Sequence, residues 1–307
     1  MPVVEELKKY SPAHETALTI GVFDGVHLGH RHLIQRLKVL AEERNLIPGV
    51  VTFRCHPRLV LSPGARLPFL SSIEERIQLI KELGIDLVVP ISFTLELSEL
   101  TAREFVSLLK EYLKMGGLVV GPDFALGRGR EGDIEVLRSL GEEMQFFVEV
   151  VPPLEVDGIV VSSTAIRNKL ASGDMSSANR FLGRPFAVSG PVISGVERGR
   201  ALGFPTANIK VDPIRALPSN GVYATWAYIG HDKHKSVTNI GKRPTFGGGE
   251  RSVEVFLLNF GGDIYGQNLS IELVDRLREE KRFGSAEELK GQIAQDVERA
   301  RSILKRD

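Results

Sequence analysis

The sequence predicts two domains: an N-terminal α/β domain built on a mostly parallel sheet, and a C-terminal antiparallel β-barrel closed or covered by a helix. Three observations predict it. In the first half, short β-branched runs alternate with helix-like segments. The composition changes at residues 181–185, and a single amphipathic stripe closes the chain. Strand-like runs occupy residues 17–23, 49–53, 85–90, 117–121 and 146–151. Between them, Leu33, Leu37, Leu40 and Ala41 recur on one helical face. Ser72 with Glu75, and Thr101 with Glu104, fit the capping box that satisfies free N–H groups at a helix start. Strands alternating with helices of this length imply a doubly wound sheet.

Beyond residue 184 come shorter strand-like pieces, 221–229, 236–240, 252–259 and 269–275, separated by Gly, Pro and Asn. They fit a small barrel. Ser285 and Glu288 then cap a helix whose apolar stripe runs through Leu289, Ile293, Val297 and Leu304. The expected domains are 1–183 and 184–307.

The whole chain has 307 residues, with 39 Lys+Arg against 39 Asp+Glu, so net charge points to neither nucleic acid nor an anionic membrane as partner. One cysteine, Cys55, leaves no internal disulfide and suits a reducing compartment. The first ten residues carry Glu5, Glu6, Lys8 and Lys9, which is not the pattern of a secretory signal. No apolar run approaches the roughly 18 residues needed to span a bilayer. A cytoplasmic enzyme, monomeric or weakly oligomeric, is the expectation.

Two stretches carry chemistry. GVFDGVHLGH (residues 21–30) runs from a strand into a helix. Gly21, Gly25 and Gly29 allow a sharp turn and close approach, and His27 and His30, three apart, share a face of the first turn. A helix start attracts anions, and two imidazoles there suit a nucleotide's phosphates. The bland alternative is a histidine pair with no ligand. GVERGRALGFPTAN (residues 195–208) is dense in glycine and arginine. Gly195, Gly199 and Gly203 suit a flap around phosphates, with Arg198 and Arg200 inside it. Thr206 and Asn208 offer hard oxygen ligands for Mg²⁺. A solvated surface loop is its alternative. In the run VEVFLL (residues 253–258), Glu254 is the one acid among apolar neighbours, which suits a base; an ion pair with Arg251 is the alternative.

These motifs resemble the prokaryotic bifunctional riboflavin kinase/FMN adenylyltransferase (FAD synthetase) family. GVFDGVHLGH is similar to the HxGH signature of its Rossmann-like nucleotidyltransferase domain. TFRCHP (residues 52–57) resembles the TFxPHP loop, with Arg54 and Cys55 substituted, and GPDFALG (residues 121–127) resembles GxDFRFG, with Ala125 and Leu126 substituted. SSTAIR (residues 162–167) matches SSTxIR fully, and the second stretch matches the kinase signature GxxxGxxLGFPTAN. EVFLLNF (residues 254–260) stands for ExHLLDF, with Phe256 and Asn259 substituted.

The resemblance implies that riboflavin and ATP give FMN, and that FMN and ATP give FAD and pyrophosphate, both with Mg²⁺. It implies that His27, His30 and Arg167 stabilise the α-phosphoryl transition state. Gly21, Phe23, Asp24, Gly29, Asp123, Ser163 and Thr164 would bind ATP or phosphate beside them, with a positional role as the alternative for Asp24. In the kinase, Glu254 would be the base and Thr206 and Asn208 the metal ligands. Gly195, Arg198, Gly199, Gly203, Pro205 and Asn239 would bind ATP and flavin there. Two rivals stay open: a kinase that has lost adenylylation, and a flavin-binding regulator without turnover.

Overall fold

The computed structural model describes residues 2–62, 64–194, 203–242 and 251–305. Contacts divide the chain into two compact units, residues 1–163 and 164–307.

The first unit runs α1 (Pro2–Lys8), β1 (Thr16–Gly21), α2 (Leu28–Glu43), β2 (Ile47–Phe53), α3 (Pro57–Leu61), α4 (Ile73–Glu82), β3 (Leu87–Ile91), α5 (Leu95–Ser98), α6 (Ala102–Leu113), β4 (Met115–Val120), α7 (Ile134–Met144), β5 (Phe147–Val150) and a short hairpin, β6 (Glu155–Val156) with β7 (Ile159–Val160). The sheet is wholly parallel, in the order β3-β2-β1-β4-β5. All five expected strands are present. They read as near-continuous apolar runs because helices cover both faces. Leu18 and Ile20 join one core cluster with α1 and α6, while Ala17 joins the other with α2 and α4. Each fully buried Leu or Ile contributes about 1.5–3 kcal/mol. Ser72 and Thr101 form the expected capping boxes, which fix where α4 and α6 begin.

The chain order reverses across β1: β2 and β3 lie to one side, β4 and β5 to the other. Ligands of open α/β sheets bind at such a switch point, beyond the carboxyl ends of the strands. Here that places the loops leaving β1 and β4 at the candidate site.

The second unit begins inside α8 (Ser163–Ser172) and continues through α9 (Met175–Leu182). Six strands follow: β8 (Phe186–Ile193), β9 (Ala207–Ile209), β10 (Gly221–Ile229), β11 (Asp232–Lys242), β12 (Arg251–Leu257) and β13 (Asn268–Arg278). They close into an antiparallel barrel in the order β10-β11-β12-β9-β8-β13. The sequence reading had no counterpart for β8, which is interrupted by Gly190 and Pro191, or for β9, which is only three residues long. Division into compact units falls earlier than the change of composition near residue 184. The reason is hydrogen bonding: Asn179 Nδ2 donates to Leu273 O at 2.8 Å, and Asn179 Oδ1 accepts from Phe186 N at 2.8 Å, fastening α9 to the barrel.

Ser285 caps the C-terminal helix, Ala286–Ile303, as expected. Its Val297, Ala300 and Leu304 side pack on Val222, Ala224 and Leu277 of the barrel. Arg278 Nε donates to both oxygens of buried Asp296, at 3.0 and 2.9 Å, which anchors the helix to β13.

Candidate active sites

In the first unit the site grows out of the turn between β1 and α2. Three residues of this turn have positive φ: Phe23 at 51°, Gly25 at 82° and Val26 at 40°. Only the glycine is at ease there. For Phe and β-branched Val the conformation costs about 1–3 kcal/mol each and persists only when its surroundings enforce it.

The turn delivers His27 as the N-cap of α2, where Nδ1 accepts from His30 N at 3.3 Å. The sequence placed both histidines on the first helical turn. Instead His27 sits just before it, and the two rings stack with centroids 3.6 Å apart and 19° between planes. Because Nδ1 of His27 is an acceptor, its Nε2 carries the N–H in the neutral ring. His30 Nδ1 is buried with no partner among the described residues. A buried polar atom without a partner is a place for a ligand atom or a water. Burial first, then the neighbouring His27 and Arg76, hold the His30 imidazole well below the usual histidine value of 6.5. Gly29 must be glycine: a Cβ there would lie 2.9 Å from Val161 O and 3.1 Å from the His27 ring.

Asp24 does not face this crevice. Its carboxylate is buried and accepts from Leu70 N (2.9 and 3.0 Å), Ser71 N (3.0 Å) and Ser71 Oγ (3.3 Å), with Arg76 Nη2 at 4.0 Å. These bonds hold the turn. Ser71 Oγ in turn accepts from Gly25 N at 2.8 Å, and Arg76 Nη1 donates to Phe53 O at 2.7 Å. Neither Ser71 nor Arg76 stood out in the sequence, since nothing about a serine before a cap or one arginine in a helix announces burial.

Ser163, the last residue of the first unit, donates its hydroxyl to Asp24 O at 2.9 Å. Thr164 is exposed and Arg167 half-buried on the next turn of α8. Gly21 ends β1, and Phe23, buried, packs at 5.1 Å against the His30 ring. Asp123 is exposed in the turn after β4, with its backbone O accepting from Arg130 at 2.8 Å.

The substituted loop positions have local partners. Arg54 pairs with Glu6 at 3.5 Å, and Leu126 is buried in a bridge to Gly132.

The barrel site is made by strand register. Glu254 on β12 stands directly opposite Asn208 on β9 and Asn239 on β11. Directly opposed residues share a face, so three candidates separated by 46 residues of sequence form one row. Val253, Val255 and Leu257 alternate with them and are buried. Arg251 donates to the carbonyls of Leu217 and Pro218 and does not pair with Glu254. The half-buried Glu254 carboxylate has one contact, Ser252 Oγ at 3.5 Å. Among the described residues no cation neutralises it.

Asn208 and Thr206, with exposed Pro205, line a cavity of about 400 Å³. Its other wall is the segment after β12, including Phe260, Asp263 and Tyr265. Phe256 meets Phe204 edge-on at 5.3 Å, which braces the segment leading to Thr206. Asn259 takes a left-handed conformation, φ 59°, which asparagine tolerates well, and its Oδ1 accepts from Arg301. Gly203 has φ 86° and is exposed. Gly195, Arg198, Gly199 and Arg200 lie outside the described residues.

A further group of contacts fixes the segment before β10. Tyr223 donates to Ser219 O, Arg276 Nη2 donates to Asn220 O at 2.6 Å, and burial pushes the Tyr223 phenol up. No helix among the described residues is long and apolar enough to cross a membrane.

Comparison with known proteins adds names to both units. The FAD synthetase family matches residues 9–165, and the riboflavin kinase family matches residues 182–304. A bifunctional riboflavin kinase/FMN adenylyltransferase of Escherichia coli K12 is 40% identical over 96% of this chain and 94% of its own. That of Pseudomonas fluorescens is 40% identical over 99% and 98%, and that of Listeria monocytogenes 34% over 94% and 92%. A solved structure from Streptococcus pneumoniae, named a macrolide-efflux protein, superposes with a TM-score of 0.88 at 30% identity, covering 96% of both chains. With both families present in order and near full-length identity to enzymes carrying both activities, the chain belongs to the bifunctional riboflavin kinase/FMN adenylyltransferase family and is an enzyme of flavin cofactor synthesis.

Proposed function

We propose that its two reactions are carried by two separate constellations, one before residue 184 and one after it. Adenylylation of FMN uses the stacked His27–His30 pair at the start of α2, with Arg167 as a further cation. The FMN phosphate attacks the α-phosphorus of ATP and pyrophosphate leaves, so no protein nucleophile is needed. The imidazole N–H groups and the start of α2 receive the negative charge that grows on the phosphoryl oxygens. The unpartnered Nδ1 of His30 is the observation that carries this reading. Gly21, Phe23 and Gly29 shape the crevice, Asp123 reaches it from the loop after β4, and Ser163 and Thr164 begin the helix bearing Arg167. Residues 1–183 form this functional domain, and 184–307 the kinase.

Phosphorylation of riboflavin uses the row Asn208–Glu254–Asn239. Glu254 orients the ribityl hydroxyl and accepts its proton. A carboxylate with no cationic partner among the described residues, one strand from a cavity wall, supports that role. The cavity beside Thr206 and Asn208 takes the nucleotide, with Phe260 and Tyr265 offering ring faces to a base. A hydroxyl and an amide oxygen are hard donors that fit Mg²⁺, so Thr206 and Asn208 would hold it. When bound, the ion screens charge between phosphate oxygens. Gly195, Arg198 and Gly199, outside the described residues, would bind the nucleotide's phosphates together with Gly203, and the cytoplasm is where the enzyme works.

Pure protein incubated with riboflavin, ATP and Mg²⁺, with products separated by chromatography, tests the assignment. FAD is the expected product. FMN alone would leave only the kinase constellation, unchanged riboflavin would remove that one, and supplied FMN left unconverted would remove the other.

A further inference from the structure

The adenylylation turn is held by charges that no nucleotide needs to touch. Asp24 and Arg76 are both essentially inaccessible, at 2% and 1% side-chain exposure. Burying a carboxylate and a guanidinium is expensive, and a hydrophobic pair of the same size often serves stability as well or better. Here the carboxylate gathers Leu70 N, Ser71 N and Ser71 Oγ, while Ser71 Oγ accepts from Gly25 N. The guanidinium spans from Asp24 to Phe53 O at the end of β2, and lies 5.7 Å from the Phe69 ring. Every one of these bonds ends on the turn 23–26, on the end of β2, or on the loop 69–71. The turn is also where Phe23 and Val26 hold unfavourable φ values and from which His27 and His30 project.

We propose that Arg76, acting with Ser71 through Asp24, is a positioning residue for FMN adenylylation: it locks the strained turn that sets the stacked imidazoles. The inference rests on the reading of His27 and His30 as the phosphate-binding pair. Electrostatics agree with the geometry, because Arg76 also acts on His30 to favour its neutral ring.

The second activity of the same chain supplies the control. FMN adenylylation and riboflavin phosphorylation are measured separately on wild type, Arg76→Met, Arg76→Lys, Ser71→Ala and His30→Ala. A positional error on the order of 1 Å costs about 100-fold. Arg76→Met is therefore expected to lower kcat for adenylylation about 100-fold, with KM for ATP and FMN within about 3-fold. Arg76→Lys, which keeps the charge facing Asp24, should fall between Met and wild type. Ser71→Ala leaves all buried charges in place and should lose about 10-fold in kcat. Kinase rates should stay within about 2-fold in all of them.

Should Arg76→Met fail to fold, Ser71→Ala decides alone. The proposal is overturned by a Ser71→Ala kcat within about 3-fold of wild type, by losses carried only in KM, or by a Lys variant no better than Met. An active His30→Ala would instead overturn the phosphate-pair reading, whatever the Arg76 variants do.

Discussion

The two candidate sites are built in opposite ways. In the barrel, Asn208, Glu254 and Asn239 face one another because three neighbouring strands are hydrogen-bonded in one register. Their spacing is a property of the backbone ladder, shared by every barrel of this topology. At the α/β site the imidazoles hang from a turn that is itself unfavourable, with positive φ at Phe23 and Val26, and a buried polar clamp enforces it. A laddered site resists change in distant side chains, whereas a clamped site depends on residues that never meet substrate. The first is vulnerable at its chemical groups, the second also at its supports.

Four experiments sharpen that contrast. The largest effect is expected at Glu254→Gln, which removes the base without disturbing the ladder. Riboflavin phosphorylation should drop about 100- to 10,000-fold while supplied FMN is still converted to FAD. A near-normal kinase rate would take Glu254 out of the mechanism.

Next, His30→Ala should cut FAD formation by about 100- to 1,000-fold and spare FMN formation. Loss of both reactions together would mean that the sites are not independent. Third, Asp296→Ala strands Arg278 and frees the C-terminal helix, since the pair is bidentate and nearly buried. Breaking such a pair costs about 3–5 kcal/mol. Thermal unfolding followed by the fluorescence of Trp226, the chain's single tryptophan and a barrel residue, should shift sharply downward, and an unchanged transition would show the anchor to be dispensable.

The smallest effect concerns pH. The folded chain holds His30 neutral, whereas the unfolded chain protonates it below the ordinary value of 6.5. The unfolded state then binds more protons, so this contribution is intact above pH 6.5 and is lost on acidification below it, by at most about 1.4 kcal/mol per pH unit. His30→Gln should flatten the dependence. A slope identical to wild type would assign it to other groups.

Much of this was legible in the sequence, for identifiable reasons. The parallel sheet announced itself because burial on both faces leaves continuous apolar strands, and the capping boxes at Ser72 and Thr101 marked helix starts within a residue. The candidate residues of both proposed sites stood out because glycine, histidine and a lone acid in an apolar strand are chemically conspicuous. Strands β8 and β9 were not legible, since a Gly and Pro inside β8 and a length of three residues in β9 blur any alternation. Nor were the partners of Asp24, whose carboxylate turns to a loop 46 residues away.

Sequence by itself determined the alternation of strands and helices in the first half, the division into an α/β half and a barrel half, and the chemical groups available for phosphate and proton transfer. These follow from local periodicity, capping and side-chain type, which act over a few residues. Only the tertiary structure decided which groups face each other: strand register set the row at Glu254, and burial turned Ser71 and Arg76 into supports for the histidines. Register and desolvation depend on segments far apart in the chain, and no local pattern encodes them.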